Sequence, residues 1–281
     1  MKIVNTPEEV RKQVALWKKE GFSVGLVPTM GFLHEGHGSL IKKASEENDK
    51  VVVSVFVNPI QFGPSEDLAS YPRDLKHDTE LVSECGGDMI FSPSPSDMYC
   101  EDFCSFVDVE NLTSGLCGAK RPGHFRGVCT VVTKLFNIVQ PERAYFGQKD
   151  AQQLAVIKRM VRDLNVPVTI VPCPIVREAD GLAKSSRNTY LSSEERKAAV
   201  ILNKSLKKGL AALTSGERNA EVVKNIIKDT LNSEPLAKID YVEIVDSSAL
   251  APVTNINSSI LTAIAVYIGK TRLIDNFTFN L

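Results

Sequence analysis

The stretch KVVVSVFV, Lys50–Val57, constrains the fold of this chain more than any other. It is apolar at both parities of the strand period, so a strand made from it must be covered on both faces. Strands of that kind belong to parallel sheets flanked by helices. Helix-like and strand-like segments alternate around it. Thr6 reads as a helix cap with Pro7 at the first helical position, and Val10, Val14 and Trp17 follow at helical spacing. SVGLVPT (Ser23–Thr29) reads as a strand, and a helix is expected from about Gly36 to Glu47. A helix at Leu75–Cys85 and a strand at Asp88–Phe91 come next, then an irregular stretch from Ser92 to His124. From Phe125 to Gln140, one helical face carries Val128, Val131, Val132, Leu135, Phe136 and Val139. RAYFG (Arg143–Gly147) is a strand, KDAQQLAVIKRMVRDL a helix and VPVTIVPCP another strand. This order predicts an α/β domain over 1–175 built on a doubly wound parallel sheet. Its connections should be right-handed and its ligands should sit at the carboxyl ends of the strands.

After about Val176 the texture changes. SSEERKAAVILNKSLKKGLAAL and NAEVVKNIIKDTLNS read as charged amphipathic helices, IDYVEIVD and SSILTAIAVYIG as strands. A smaller α+β domain is expected over 176–281. Net charge is −1, so there is no bulk attraction to nucleic acid. No run approaches the roughly 20 apolar residues of a membrane span, and the N-terminal stretch lacks the apolar core of a secretion signal. The six cysteines are irregularly spaced without a C-x-x-C, as expected of reduced thiols in a cytoplasmic protein.

Three clusters carry chemistry, each after a predicted strand. PTMGFLHEGHGSL (Pro28–Leu40) places His34 and His37 on a glycine-rich bend at a helix start. Backbone N–H groups and the helix dipole favour an anion there, and two imidazoles can donate to phosphate oxygens. Two other readings stay open: histidines that cap or pack a turn, and a metal site, which the three-residue spacing and the missing third ligand disfavour. GQKDAQQ (Gly147–Gln153) offers Lys149 as a phosphate cation, Asp150 as a ligand contact or helix cap, and Gln153 one turn on. GLAKSSRNTYLS (Gly181–Ser192) suits either a phosphate loop or a plain linker. Asn58 and Gln61, past the second strand, are neutral amides suited to the polar end of a small substrate. Arg121, His124 and Arg126 read equally well as solvated surface charge. No Walker A, G-x-G-x-x-G or G-x-S-x-G sequence is present.

The segments PTMGFLHEGH, VSVFVNPIQF, YPRDLKHD, RPGHFRGV, FGQKDAQQL and DGLAKSSRNTYLS, in this order, closely resemble the pantoate–β-alanine ligase family. The resemblance implies a Rossmann-like N-terminal domain, a smaller C-terminal domain that closes over the site, and a homodimer. It also implies a ligase that uses ATP with Mg²⁺ to join pantoate and β-alanine into pantothenate through a pantoyl adenylate, releasing pyrophosphate and AMP. Carried over by position, it implies ATP contacts at Met30, Gly31, His34, Gly36, His37, Gly147, Lys149, Asp150, Val176, Lys184, Ser185, Ser186 and Arg187. His37 matches the proton donor, with His34 and Lys149 beside it in catalysis. Gln61 and Gln153 match the pantoate amides, with Asn58 in support, and no protein metal site is implied. Three residues depart from the family pattern: Gly38 where an apolar residue is expected, which would loosen the helix start, Gln148 in place of Glu, and Lys184 in place of an apolar residue. The rivals are another adenylate-forming or nucleotidyl-transferring enzyme on this fold, and a catalytically silent nucleotide binder.

Overall fold

The computed structural model describes residues 1–64 and 66–281. The elements run β1 (Lys2–Val4), α1 (Pro7–Lys19), β2 (Val24–Thr29), α2 (Glu35–Glu47), β3 (Lys50–Val55), α3 (Leu75–Glu84), β4 (Met89–Phe91), α4 (Pro95–Met98), α5 (Leu116–Lys120), α6 (His124–Val139), β5 (Arg143–Gly147), α7 (Ala151–Asp163), β6 (Thr169–Cys173), α8 (Ser193–Ala198), α9 (Ile201–Thr214), α10 (Ala220–Asn232), β7 (Ala237–Asp246), β8 (Ile260–Ile268) and β9 (Thr271–Phe279). They divide into two compact units. One comprises 1–110, 121–148 and 153–174; the other comprises 111–120, 149–152 and 175–281.

The first unit is a six-stranded sheet in the order β1-β4-β3-β2-β5-β6, parallel in every pairing described. Val51, Val52 and Val53 of β3 are all buried, as a strand apolar on both faces requires. α1 begins as its residues dictate: Thr6 accepts the Glu9 N–H, Glu9 reaches back, and Pro7 stands at the first position. β2 pairs with β3 in register from Val24–Lys50 to Thr29–Val55, so both strands end at one level. Sequence order reverses at β2, which has β3 on one side and β5 on the other. That reversal opens the crevice where ligands bind in such sheets.

The second unit carries the antiparallel sheet β7-β8-β9. α9 and α10 bury Leu202, Leu206, Leu213, Val223, Ile227 and Leu231 in one core with Ile260, Ile264 and Val266 of β8. Three sequence expectations change. The stretch 92–124 holds two short helices, α4 started by a Ser94–Asp97 capping box, and α5. The helix expected after Ser192 is two, α8 and α9. β1 and β9 escape the pattern, β1 because it is three residues long and β9 because buried Asp275 and Asn276 interrupt its apolar alternation.

Candidate active site

The loop that follows β2 is shaped by two left-handed residues, Gly31 (φ 85°) and Phe32 (φ 50°). A Cβ on Gly31 would lie 2.9 Å from Val55 Cγ1 and 3.0 Å from Asp78 Oδ2, so glycine is needed for space as well as for φ. Asp78, on α3 and 1% exposed, accepts the Phe32 N–H at 2.9 Å and the Leu33 N–H at 2.6 Å. Its neighbour His77 donates from Nε2 to the Leu33 carbonyl at 3.0 Å. Burial pushes the Asp78 carboxyl up, and the two N–H groups draw it partly back. α3 thus clamps the histidine loop from beneath.

The loop ends by capping α2 with imidazoles. His34 Nδ1 accepts the Gly36 N–H at 3.1 Å, and His37 Nδ1 accepts the His34 N–H at 3.3 Å, with the ring centroids 4.1 Å apart. Each Nδ1 is an acceptor, so each neutral ring carries its proton on Nε2. The capping expectation is therefore met by one nitrogen of each ring, while the other nitrogen is the donor that a phosphate oxygen requires. Gly38 does not loosen the helix, which runs unbroken from Glu35 to Glu47. A Cβ there would lie 3.1 Å from Cys85 Sγ, so the glycine admits the thiol of α3's C-cap.

At the end of β3, Asn58 and Gln61 are buried, at 1% and 8% exposure. Asn58 Nδ2 donates to Gln61 Oε1 at 3.1 Å and to the Gly127 carbonyl at 3.1 Å. Gly127 on α6 allows this approach, since a Cβ there would fall 2.4 Å from the Ile60 carbonyl oxygen. His124 donates from Nδ1 to the Gln61 carbonyl at 2.8 Å, and Arg121 holds Glu66 through two nitrogens at 2.7 and 2.5 Å. Burial works upward on the Glu66 carboxyl, but the Arg121 guanidinium outweighs it and holds the group below its usual range. Arg126 packs over Phe106 at 4.0 Å. The alternative of solvated surface charge fails for Arg121 and His124, which fasten the amide loop, and holds for Arg126, which is exposed.

The second unit holds the remaining cations. Lys149 Nζ lies 3.9 Å from Asp150 Oδ2, in a 3₁₀ turn that leads into α7. Asn276 on β9 donates from Nδ2 to the Lys149 carbonyl at 2.8 Å. The adjacent Asp275, 2% exposed, takes a two-pronged bond from Arg177 at 2.7 and 2.9 Å. Consecutive residues of β9 thereby anchor the Lys149 turn and the segment that begins at Arg177. In the later segment, Lys184 N–H donates to the Val176 carbonyl at 2.9 Å, and Lys184 Nζ pairs with Glu178 at 3.2 Å. Ser185 caps a 3₁₀ turn over Ser186–Tyr190 by accepting the Arg187 N–H, a defined turn and not a plain linker.

The structure brings Met30, Gly31 and His34 onto one loop and Gly36 and His37 onto the first turn of α2 that follows it, Asn58 and Gln61 onto the segment after β3, and Gly147 to the end of β5, all in the first unit. Gln153 stands on α7 in that unit; Lys149, Asp150, Val176 and Lys184–Arg187 lie in the second. Sequence reasoning did not assign Asp78 or Tyr99, nor the clamping parts of Arg121 and His124. Asp78 and His77 stood in YPRDLKHD, but nothing local to that stretch says that the carboxylate is buried under another loop. Among the described residues no group of three or more His, Cys, Asp or Glu side chains could hold a metal ion. Asp150, 3.9 Å from Lys149 Nζ, is a carboxylate of the kind that could face a Mg²⁺ carried on nucleotide phosphates. No described helix is long and apolar enough to cross a membrane.

Comparisons with known proteins bear on this geometry. The family profile described as pantoate-β-alanine ligase matches residues 2–278. A Clostridium botulinum (Type A) protein named pantothenate synthetase is 65% identical over 281 residues, covering 100% of both chains. A crystal structure of pantothenate synthetase from Thermus thermophilus superposes with a TM-score of 0.93 at 47% identity, over 99% of each chain. A pantoate-β-alanine ligase from Francisella tularensis, solved with β-γ ATP and β-alanine, matches with a TM-score of 0.80 at 36% identity, over 99% of this chain and 97% of that one.

Proposed function

Because this chain belongs to the pantoate–β-alanine ligase family, we propose that it works in two half-reactions on one acid. The family condenses pantoate with β-alanine at the expense of ATP, and this chain is an enzyme of that kind. In the first half-reaction the pantoate carboxylate attacks the α-phosphorus of ATP, forming pantoyl adenylate and releasing pyrophosphate. The carboxylate is ionised at neutral pH, so the step needs no general base. It needs donors where negative charge gathers. His34 and His37 supply two Nε2–H groups, the second as proton donor, and Lys149 supplies a point charge. In the second half-reaction the neutral amine of β-alanine attacks the acyl carbon, giving pantothenate and AMP.

The ATP contacts assigned are Met30, Gly31, His34, Gly36, His37, Gly147, Lys149, Asp150, Val176, Lys184, Ser185, Ser186 and Arg187. Gln61 and Gln153 take pantoate, with Asn58 in support. Residues 1–175 are assigned the binding of ATP and pantoate, and 176–281 the smaller domain that supplies the serine–arginine loop. A Mg²⁺ carried on the phosphates would add positive charge there, with Asp150 the carboxylate that would face it. The enzyme is further assigned to the cytoplasm, as a homodimer.

The observation that carries the reading is the pair of inward-turned Nδ1 atoms, which dedicates both Nε2 atoms to donation. Pyrophosphate release from ATP is the test, with pantoate present or omitted and with β-alanine added afterwards. The expected result is release that requires pantoate, followed by AMP and pantothenate on adding β-alanine. Release indifferent to pantoate would favour a related ligase for another acid, and ADP in place of AMP would overturn the adenylate.

A further inference from the structure

A buried hydrogen-bond chain in the first unit sets which end of the Gln61 amide faces outward. The Gly127 carbonyl can only accept, and it takes an N–H from Asn58 at 3.1 Å. That contact identifies the nitrogen end of the Asn58 amide. The second hydrogen on the same nitrogen meets Gln61 at 3.1 Å, so the Gln61 atom facing it is the oxygen. Asn58 Oδ1 is then an acceptor, and it takes the Tyr99 O–H at 2.7 Å. No member can be reversed without setting like groups against each other. The chain ends at Gln61 Nε2, a donor aimed at Met30 Sδ at 2.9 Å. A thioether sulfur is a weak acceptor that a carboxylate or hydroxyl oxygen would displace.

We propose that Tyr99 is a positioning residue for recognition of the acid substrate: through Asn58 it locks the Gln61 amide as a hydrogen-bond donor to a substrate oxygen. The proposal rests on the assignment of Gln61 to pantoate. Asn58 is 1% exposed, so water cannot replace the phenol if it is removed. An unpartnered Oδ1 frees the Asn58 amide to swing, and Gln61 loses the contact that orients it. A Gln61 side chain turned the other way would set an oxygen against the substrate's oxygens. The Tyr99 ring is held independently of its hydroxyl, edge-on to Phe103 at 4.9 Å and beside Phe56 at 6.3 Å. Tyr99→Phe therefore removes the donor and keeps the packing.

The test compares Tyr99→Phe, Gln61→Glu and the double variant, with KM measured separately for pantoate and ATP and thermal midpoints recorded. Tyr99→Phe is expected to raise the pantoate KM about tenfold, the loss of roughly one hydrogen bond to a buried group. The ATP KM should stay near its parent value, and the thermal midpoint should fall by no more than a few degrees, the cost of one unpartnered buried acceptor. Gln61→Glu should raise the pantoate KM further, and adding Tyr99→Phe to it should change nothing more. A pantoate KM within twofold of parent in Tyr99→Phe, with Gln61→Glu impaired, overturns the relay and leaves the assigned function standing. Equal rises for pantoate and ATP, or independent effects in the double variant, indicate plain structural damage and overturn it too. An unchanged pantoate KM in Gln61→Glu removes the assignment of Gln61, and the relay with it.

Discussion

At the scale of single residues, the histidine bend gains its chemistry from what its backbone does with one nitrogen of each ring. Nδ1 accepts an N–H at both His34 and His37, so the rings cap a helix and remain donors. His37→Ala is expected to slow adenylate formation by more than tenfold, read as single-turnover pyrophosphate release from a folded variant. Asp78 acts one step away. Asp78→Ala would strip two buried N–H groups of their acceptor and release a loop that holds two positive-φ residues. A loss of about 2–4 kcal/mol in denaturant unfolding is expected, together with a raised KM for ATP.

At the scale of elements, α6 belongs to the site through its first turn. His124 holds the Gln61 carbonyl, Gly127 admits the 60–61 backbone, and Arg121 pins Glu66 just ahead of the helix. Gly127→Ala should therefore lower stability by several kcal/mol although alanine is the better helix former, because the obstacle is backbone and cannot step aside. The Arg121–Glu66 pair makes a prediction in pH. The folded carboxyl lies below its usual value of 4.5, so the folded state binds this proton less readily than the unfolded state does. The stabilisation is thus complete above about pH 4.5 and disappears as pH falls through the folded value. In Arg121→Gln, stability measured by urea unfolding should fall at neutral pH by about 1 kcal/mol, and the gap from parent should close in acid.

At the scale of the whole molecule, two units with separate cores each contribute segments to the proposed chemistry. In the second, Arg177 and Asp275 form a pair with one carboxylate almost fully buried. Arg177→Met would leave that charge without its partner, and a loss of about 3–5 kcal/mol in equilibrium unfolding is expected. The proposed homodimer is checked by sedimentation, where a mass twice the 30.8 kDa of one chain is expected.

Much of the architecture is legible in the sequence, because the signals involved are local. Apolar runs with no polar face, such as Val51–Val53, demand cover on both sides and so demand a parallel sheet between helices. Capping residues at Thr6, and the glycine–histidine bend, declare their backbone conformations within a few positions. The ordered motifs pointed to the family for the same reason, since each is a short run with its own chemistry. What tertiary structure alone decided is pairing across distance. Asp78 reads as a helix-surface acid until it is found beneath Phe32 and Leu33. Arg121 and His124 read as solvated charge until the amide loop is seen against them. Tyr99 has no meaning without Asn58, forty-one positions earlier in the chain. A sequence encodes which groups can donate, accept or be buried; which of them meet depends on strand order and register, and those are properties of the folded chain.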